Sequence, residues 1–249
     1  VPVLLSHLPR AWKAYHEPCL GGGALFFALH GRYEVAYLSD VNSDLLSAYL
    51  AVRDRPEHLL QELAGIPVTP EAFEKMRRVD ADRLNHLARA ARTLYLGRCC
   101  FNGLWRTNAA GRFNAPWGKY KAPLAPVPRL VRAASPALQR TILRAQDFEA
   151  SLRLAGPGDL AYLDPPYDGT FAAYTKGKFT QEDQRRLATA ARAAAARGVL
   201  VMVSNSATPL IRTLYAGWRF VRVTAPRSIS CKSSTRTQEE PELLLLSWR

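Results

Sequence analysis

Leu160-Ala161-Tyr162-Leu163-Asp164-Pro165-Pro166-Tyr167 is the stretch whose reading decides the fold. Its first four residues are apolar and read as a buried strand. Two consecutive prolines have no N–H to give a ladder, so the strand must stop at Asp164 and pass into a stiff loop with free carbonyls. Where strands alternate with helices, the sheet is parallel and helix-covered, and open sheets of that kind bind ligands at the carboxyl edge of their strands.

The flanking sequence alternates in that way. After the loop, Thr180 with Asp183 three residues on signals the start of a helix over residues 181–197, and Gly198 signals its end. A buried strand (199–203), a short helix (209–215) and two closing strands (220–224 and 242–248) follow. Upstream, residues 141–148 read as a strand carrying Asp147. At the front, residues 15–19 lead through Gly21-Gly22-Gly23 into a helix over 24–29. A strand over 33–39 then ends in Asp40, and a helix starts near Asn42.

Between about residues 52 and 140 the strand signals stop. Helical patterns cover 56–64, 70–78 and 82–96, and a loop rich in Gly, Asn, Pro, Trp and basic residues covers 97–128. The expected architecture is an α/β, Rossmann-like domain made of residues 1–51 and 141–249, with a mainly helical segment, 52–140, inserted into it.

Composition narrows the function. Lys and Arg outnumber Asp and Glu by 34 to 21, a formal charge of +13 over 249 residues, which is the electrostatic footprint of a nucleic-acid partner. The longest apolar run near the end is residues 243–246, far short of the roughly 18 residues a membrane span needs. No leader pattern is present, and the expected compartment is cytoplasmic. Cys19, Cys99, Cys100 and Cys231 form no C-x-x-C pair, and the five scattered histidines form no ligand pair, so no metal is expected.

Three motifs carry chemistry. The glycines of Glu17-Pro18-Cys19-Leu20-Gly21-Gly22-Gly23 let the backbone approach a ligand, although a plain strand-to-helix turn has the same signature. Asp40, about twenty residues on, is placed to accept from ribose hydroxyls, or else to cap the helix together with Asn42 and Asp44. At the sheet edge, an exocyclic amine offers two N–H donors and needs two acceptors. The Asp164 carboxylate and the Pro165 carbonyl supply them, and Tyr167 offers a face on which a base can stack.

In this order the motifs resemble the Dam-like DNA adenine methyltransferases, S-adenosyl-L-methionine-dependent enzymes with an Asp-Pro-Pro-Tyr motif. The resemblance runs through Glu17 to Phe27, Leu38 to Leu45, Leu94-Tyr95-Leu96-Gly97-Arg98, Phe101 to Arg106, Gly111 to Gly118, Gln146-Asp147-Phe148, Asp164 to Tyr167, Ser204-Asn205-Ser206 and Arg227 to Ser230. It implies a cofactor site of Glu17, Pro18, Cys19, Gly21, Gly23, Asp40, Asp147, Phe148 and Asp164. It implies catalysis by Asp164, Pro165, Pro166 and Tyr167 on an adenine flipped out of duplex DNA, within GATC. In the inserted segment it makes Phe101 a wedge beside the vacated base and brings Asn102, Leu104, Arg106, Asn108 and Pro116 to the base edges. Arg98, Arg227, Ser228, Lys232 and Arg236 would meet the backbone. The enzyme would act as a monomer. Family members usually carry a Trp-Ala-Gly-Gly-Lys segment ahead of the point where this sequence begins, and an asparagine where it has Gly97. The alternatives left open are an amino-methyltransferase acting on RNA and an inactive DNA-binding relative.

Overall fold

The computed structural model describes residues 1–169, 179–223 and 242–249. In chain order the elements are α1 (Pro2–Ser6), β1 (Tyr15–Glu17), α2 (Ala24–Ala28), β2 (Ala36–Asp40), α3 (Ser43–Asp54), α4 (Pro56–Ala64), α5 (Pro70–Arg78), α6 (His86–Cys99), α7 (Val127–Leu138), β3 (Thr141–Ala145), α8 (Phe148–Arg153), β4 (Leu160–Leu163), α9 (Gln181–Ala196), β5 (Leu200–Ser206), α10 (Pro209–Leu214), β6 (Arg219–Val223) and β7 (Glu242–Leu246). Two compact units result. One holds Val1–Ser39 with the described residues of Gln146–Ala172 and Phe179–Arg249, the other Asp40–Ala145.

Among the described residues, six strands of the first unit form one sheet in the order β2-β1-β4-β5-β7-β6. β1 pairs in parallel with β2 on one side and β4 on the other, and β4 pairs in parallel with β5. β7 runs antiparallel between β5 and β6. This is a Rossmann-like sheet, and the point between β1 and β4, where the strand order reverses, is where such sheets take ligands. Register brings Leu163 opposite Val203 and Ser206 opposite Glu242. Asp164, Ser204, Asn205, Ser206 and Glu242 therefore gather at one edge.

Burial explains why these strands form. Leu160, Ala161 and Leu163 have no exposed surface, nor do Val201, Met202, Val203 and Leu244 to Leu246, as expected for strands covered on both faces. α9 covers this core with Leu187, Ala188, Ala191 and Ala194, which recur at helical spacing. Its N-terminus is fixed by a capping box in which Asp183 N–H donates to Thr180 Oγ1 and Thr180 N–H donates to Asp183 Oδ2. Such a cap contributes about 1 kcal/mol. Gly198, at φ +90°, turns the chain out of the helix and into β5.

In the second unit α3, α4, α5 and α6 share a core around Leu46, Leu59, Leu63, Phe73 and Tyr95. Arg92 of α6 is almost wholly buried, yet it is satisfied. Its guanidinium donates to the Met76 and Arg77 carbonyls in the last turn of α5 and lies 3.8 Å from Asp44.

Three sequence expectations are corrected. The pattern over 82–96 divides into a 3-10 turn at Ala81–Arg83 and α6, which begins only after Asn85 caps it by accepting from Ala88 N–H. The strand expected over 141–148 stops at Ala145, because Asp147 accepts from Glu149 N–H and starts α8 instead. The stretch read as loop up to residue 128 runs into a helix, α7, that the sequence reading did not anticipate. Pro136 inside α7 removes one backbone donor and masks the pattern, while Val127, Val131 and Leu138 still bury one face. Among the described residues, no helix is long and apolar enough to cross a membrane.

Candidate active site

β4 delivers Asp164 to the edge of the sheet as the first residue past its last ladder pair. More than a third of its surface is open to solvent, yet protein crowds its carboxyl closely enough that desolvation dominates its pKa. Desolvation raises its pKa to about 6, aided by the charge of Glu242, while hydrogen bonds from Tyr167 and Tyr162 work in the opposite direction. Tyr162 and Tyr167 are both held well above the ordinary tyrosine range, first by desolvation and then by the charge of Asp164. Both phenols therefore stay protonated and serve as donors. The Tyr162 hydroxyl shares a 3.0 Å hydrogen bond with Ser204 Oγ. A carboxylate with two phenolic donors on it is fixed in orientation before any ligand arrives.

The glycine turn follows β1. Leu20 N–H donates to the Ser39 carbonyl at 3.0 Å, and Gly23 N–H closes back on the Leu20 carbonyl at 2.7 Å. Gly21 (φ +46°) and Gly23 (φ +62°) take left-handed conformations that only glycine adopts readily. A Cβ added at Gly21 or Gly22 would meet nothing within 4 Å, so this backbone faces open space. Pro18 is buried and Cys19 half-buried. Glu17 itself is 2% exposed and accepts the Tyr15 hydroxyl at 2.6 Å, and burial raises its pKa to about 8.

Asp147 sits at the head of α8 within 3.3 Å of Arg186, whose guanidinium also meets Glu149 and Asp183. Arg186 lies 5.1 Å from the centre of the Phe148 ring. Phe148 is 4% exposed and belongs to the sheet core. In the second unit, Asp40 accepts from Asn42 N–H, and it is Asn42 that caps α3, by accepting from Asp44 and Leu45 N–H groups.

The loop after α6 belongs wholly to the second unit. Bridges Cys100–Trp117 and Thr107–Phe113 fold it into an antiparallel excursion. Phe101 N–H donates to the Pro116 carbonyl at 2.8 Å, yet 51% of Phe101's surface is exposed; Phe113, on the same loop, is the ring that packs inward, against Phe73 and Trp105. Asn102, at φ +54°, donates its N–H to the Tyr120 hydroxyl at 2.9 Å. Gly118 makes this possible, because a Cβ there would lie 2.8 Å from the Cys100 carbonyl and strike the Tyr120 ring. Leu104 is half-buried. Asn108 turns the tip by accepting from Ala110 and Arg112 N–H groups. The Arg106 guanidinium donates through Nε and Nη2 to the Asn114 carbonyl. Arg98 and Pro116 are exposed, and Arg98 Nε donates to the Pro123 carbonyl. Arg227, Ser228, Lys232 and Arg236 lie outside the described residues.

Thus Asp164, Tyr167 and Glu17 come together around one sheet edge; of the seven described site residues of the inserted segment, six come together on one loop and Arg98 sits in the last turn of α6 just before it. Sequence reasoning missed Tyr162, Gln184, Arg186 and Glu242. Gln184 had a signal: it is a polar residue on the buried stripe of α9. Glu242 had none, since only the β5–β7 register brings it to Asp164.

A Rossmann-like sheet with an Asp-Pro-Pro-Tyr loop at its edge defines a methyltransferase class, and comparison with known proteins narrows the class. Residues 1–229 match the family model of the D12 class N6 adenine-specific DNA methyltransferases. The chain is 35% identical over 250 residues to the type II methyltransferase M1.LlaDCHI of Lactococcus lactis subsp. cremoris, covering 94% of this chain and 87% of that one. It is 34% identical over 249 residues to the DNA adenine methylase of Escherichia coli K12, covering 96% and 88%. The chain belongs to the D12 class of N6 adenine-specific DNA methyltransferases.

Proposed function

We propose that the protein transfers a methyl group from S-adenosyl-L-methionine to the N6 amine of an adenine flipped out of duplex DNA, within GATC. The observation that carries this reading is the Asp164 carboxylate, held by Tyr162 and Tyr167 at the edge of β4. Family membership favours DNA over RNA as the polymer. The cofactor's residues in the first unit fit as well: the open face at Gly21 and Gly22 admits a ligand against the backbone, and the glycine turn and Asp147 are the groups of that unit that would hold it. When bound, the cofactor supplies an electrophilic methyl group.

The adenine amine is a weak nucleophile because its lone pair is delocalised into the ring. Acceptance of its N–H bonds by the Asp164 carboxylate and the Pro165 carbonyl localises that pair and stabilises the positive charge that develops on nitrogen. Flipping costs a few kcal/mol of stacking and pairing. The exposed ring of Phe101 would offset part of this cost by filling the vacated space, and Tyr167 would stack on the extruded base. The test is incubation with labelled cofactor and DNA of mixed sequence, followed by mapping of the label. Label on N6 of adenine in one short site supports the reading; label on cytosine or on RNA alone sinks it.

Two further outcomes follow from the interface. The charge of +13 predicts that DNA affinity drops at least about tenfold between low and physiological salt as counterions are released; a titration that stays flat would exclude a phosphate-binding role for that charge. Arg106→Ala is expected to relax preference at one base pair of the site by about 1–3 kcal/mol while leaving non-specific binding intact. To read a guanine, the guanidinium must leave the Asn114 carbonyl or present its remaining nitrogen. Methylation rates on duplexes with single substitutions around GATC check this, and an unchanged preference would remove Arg106 from recognition.

A further inference from the structure

We propose that Gln184 and Asn205 are positioning residues for the 164–167 loop: their amides form a relay that occupies the Pro166 carbonyl and leaves the Pro165 carbonyl to the substrate amine. The inference rests on the catalytic role proposed for that loop.

The relay is buried and its direction is determined. Gln184 is 2% exposed and Asn205 has no exposed surface. Asn205 Oδ1 accepts from the main-chain N–H groups of Asp168 at 3.0 Å and Ser206 at 2.9 Å. Main-chain N–H can only donate, so Asn205 must turn its oxygen toward them. Its nitrogen then donates to Gln184 Oε1 at 3.0 Å, and Gln184 Nε2 is left to donate to the Pro166 carbonyl at 2.8 Å. Asp168 is held a second time, through the Thr208 hydroxyl at 2.6 Å.

A loop with two consecutive prolines cannot anchor itself through its own N–H groups. The relay takes the carbonyl just before Tyr167 and the N–H just after it, so the backbone of that residue is clamped on both sides. An apolar pair of the same shape would pack α9 on β5 about as well; what the amides add is the grip on the loop. A misplacement of about 1 Å at a reacting group can cost on the order of a hundredfold in rate.

Gln184→Glu tests this. The introduced carboxylate still accepts from Asn205, but it faces the Pro166 carbonyl without a proton to donate. At about pH 8, kcat should fall on the order of 10- to 100-fold with KM for DNA and cofactor unchanged. Toward about pH 6 the deficit relative to the parent enzyme should shrink, because a desolvated carboxyl beside a carbonyl regains its proton and donates again. Gln184→Met should give a deficit that pH does not relieve. If the Met variant does not fold, the pH response of Gln184→Glu decides alone. A kcat within about threefold of the parent at every pH overturns the relay, and so does a loss that is independent of pH or confined to KM. Asp164→Ala separates the two levels: if it keeps full turnover, the catalytic reading of the loop fails; if it is inactive while Gln184→Glu is fully active, only the relay fails.

Discussion

Replacing Asp164 with alanine is expected to lower methyl-transfer turnover at least about a hundredfold, roughly 2.7 kcal/mol, while cofactor binding and folding persist. The carboxylate is one of two acceptors assigned to the amine, and its two phenolic partners orient it without help from substrate. Only its ionised form can accept both ways, so kcat should also decline as pH falls through about 6. The effect on stability has the opposite sign. Its folded pKa is raised above the ordinary 3.8, so the stability contributed by the protonated form is complete below 3.8 and is lost as pH rises through about 6. Asp164→Asn should therefore melt higher than the parent at neutral pH while being inactive. Turnover within about threefold of the parent in either variant would remove Asp164 from the mechanism.

How far the sequence could carry these conclusions depended on how local each signal is. The end of β4 was legible because two prolines are a local veto on strand continuation, and α9 because its cap, Thr180, and its terminating Gly198 flank the helix in sequence. α7 was not legible, since Pro136 reads as a breaker even though tertiary burial of Val127, Val131 and Leu138 outweighs the lost hydrogen bond. Asp40 and Asn42 show the limit of motif reading: either could have capped α3, and only the hydrogen bonds assign the cap to Asn42 and make Asp40 its backbone partner. The grouping of Tyr162, Ser204 and Glu242 around Asp164 depends on pairing among β4, β5 and β7, which no periodicity encodes. Phe101 was legible by type alone. An aromatic residue there could have been core, but Phe113 fills that role and Phe101 remains outside.

Glu17→Gln is expected to remove a pH-dependent loss of stability that the parent protein shows between weakly acidic and weakly alkaline pH. Glu17 sits on β1 among buried residues, and its carboxyl takes the Tyr15 hydroxyl and a main-chain N–H from Phe26. Those bonds lower its pKa, as would any donor to a carboxylate, but desolvation is the larger cause and the charge of Asp164 adds to it, so the value rises from 4.5 to about 8. The unfolded chain ionises this group near 4.5, whereas the folded chain keeps its proton to about 8. Stability from the protonated acid is therefore complete below 4.5 and is lost progressively as pH climbs to about 8, with a total on the order of 5 kcal/mol. Glutamine has the shape and neutrality of the protonated acid and cannot ionise, so the variant should keep its stability across that window. Asp164 contributes its own slope at lower pH, between 3.8 and about 6, so a residual dependence should survive there in the variant and flatten above it. Denaturant melts of both proteins from pH 5 to pH 9 separate the two groups. Parallel curves over the whole range would mean that Glu17 is already ionised in the fold and that its burial is compensated in some other way.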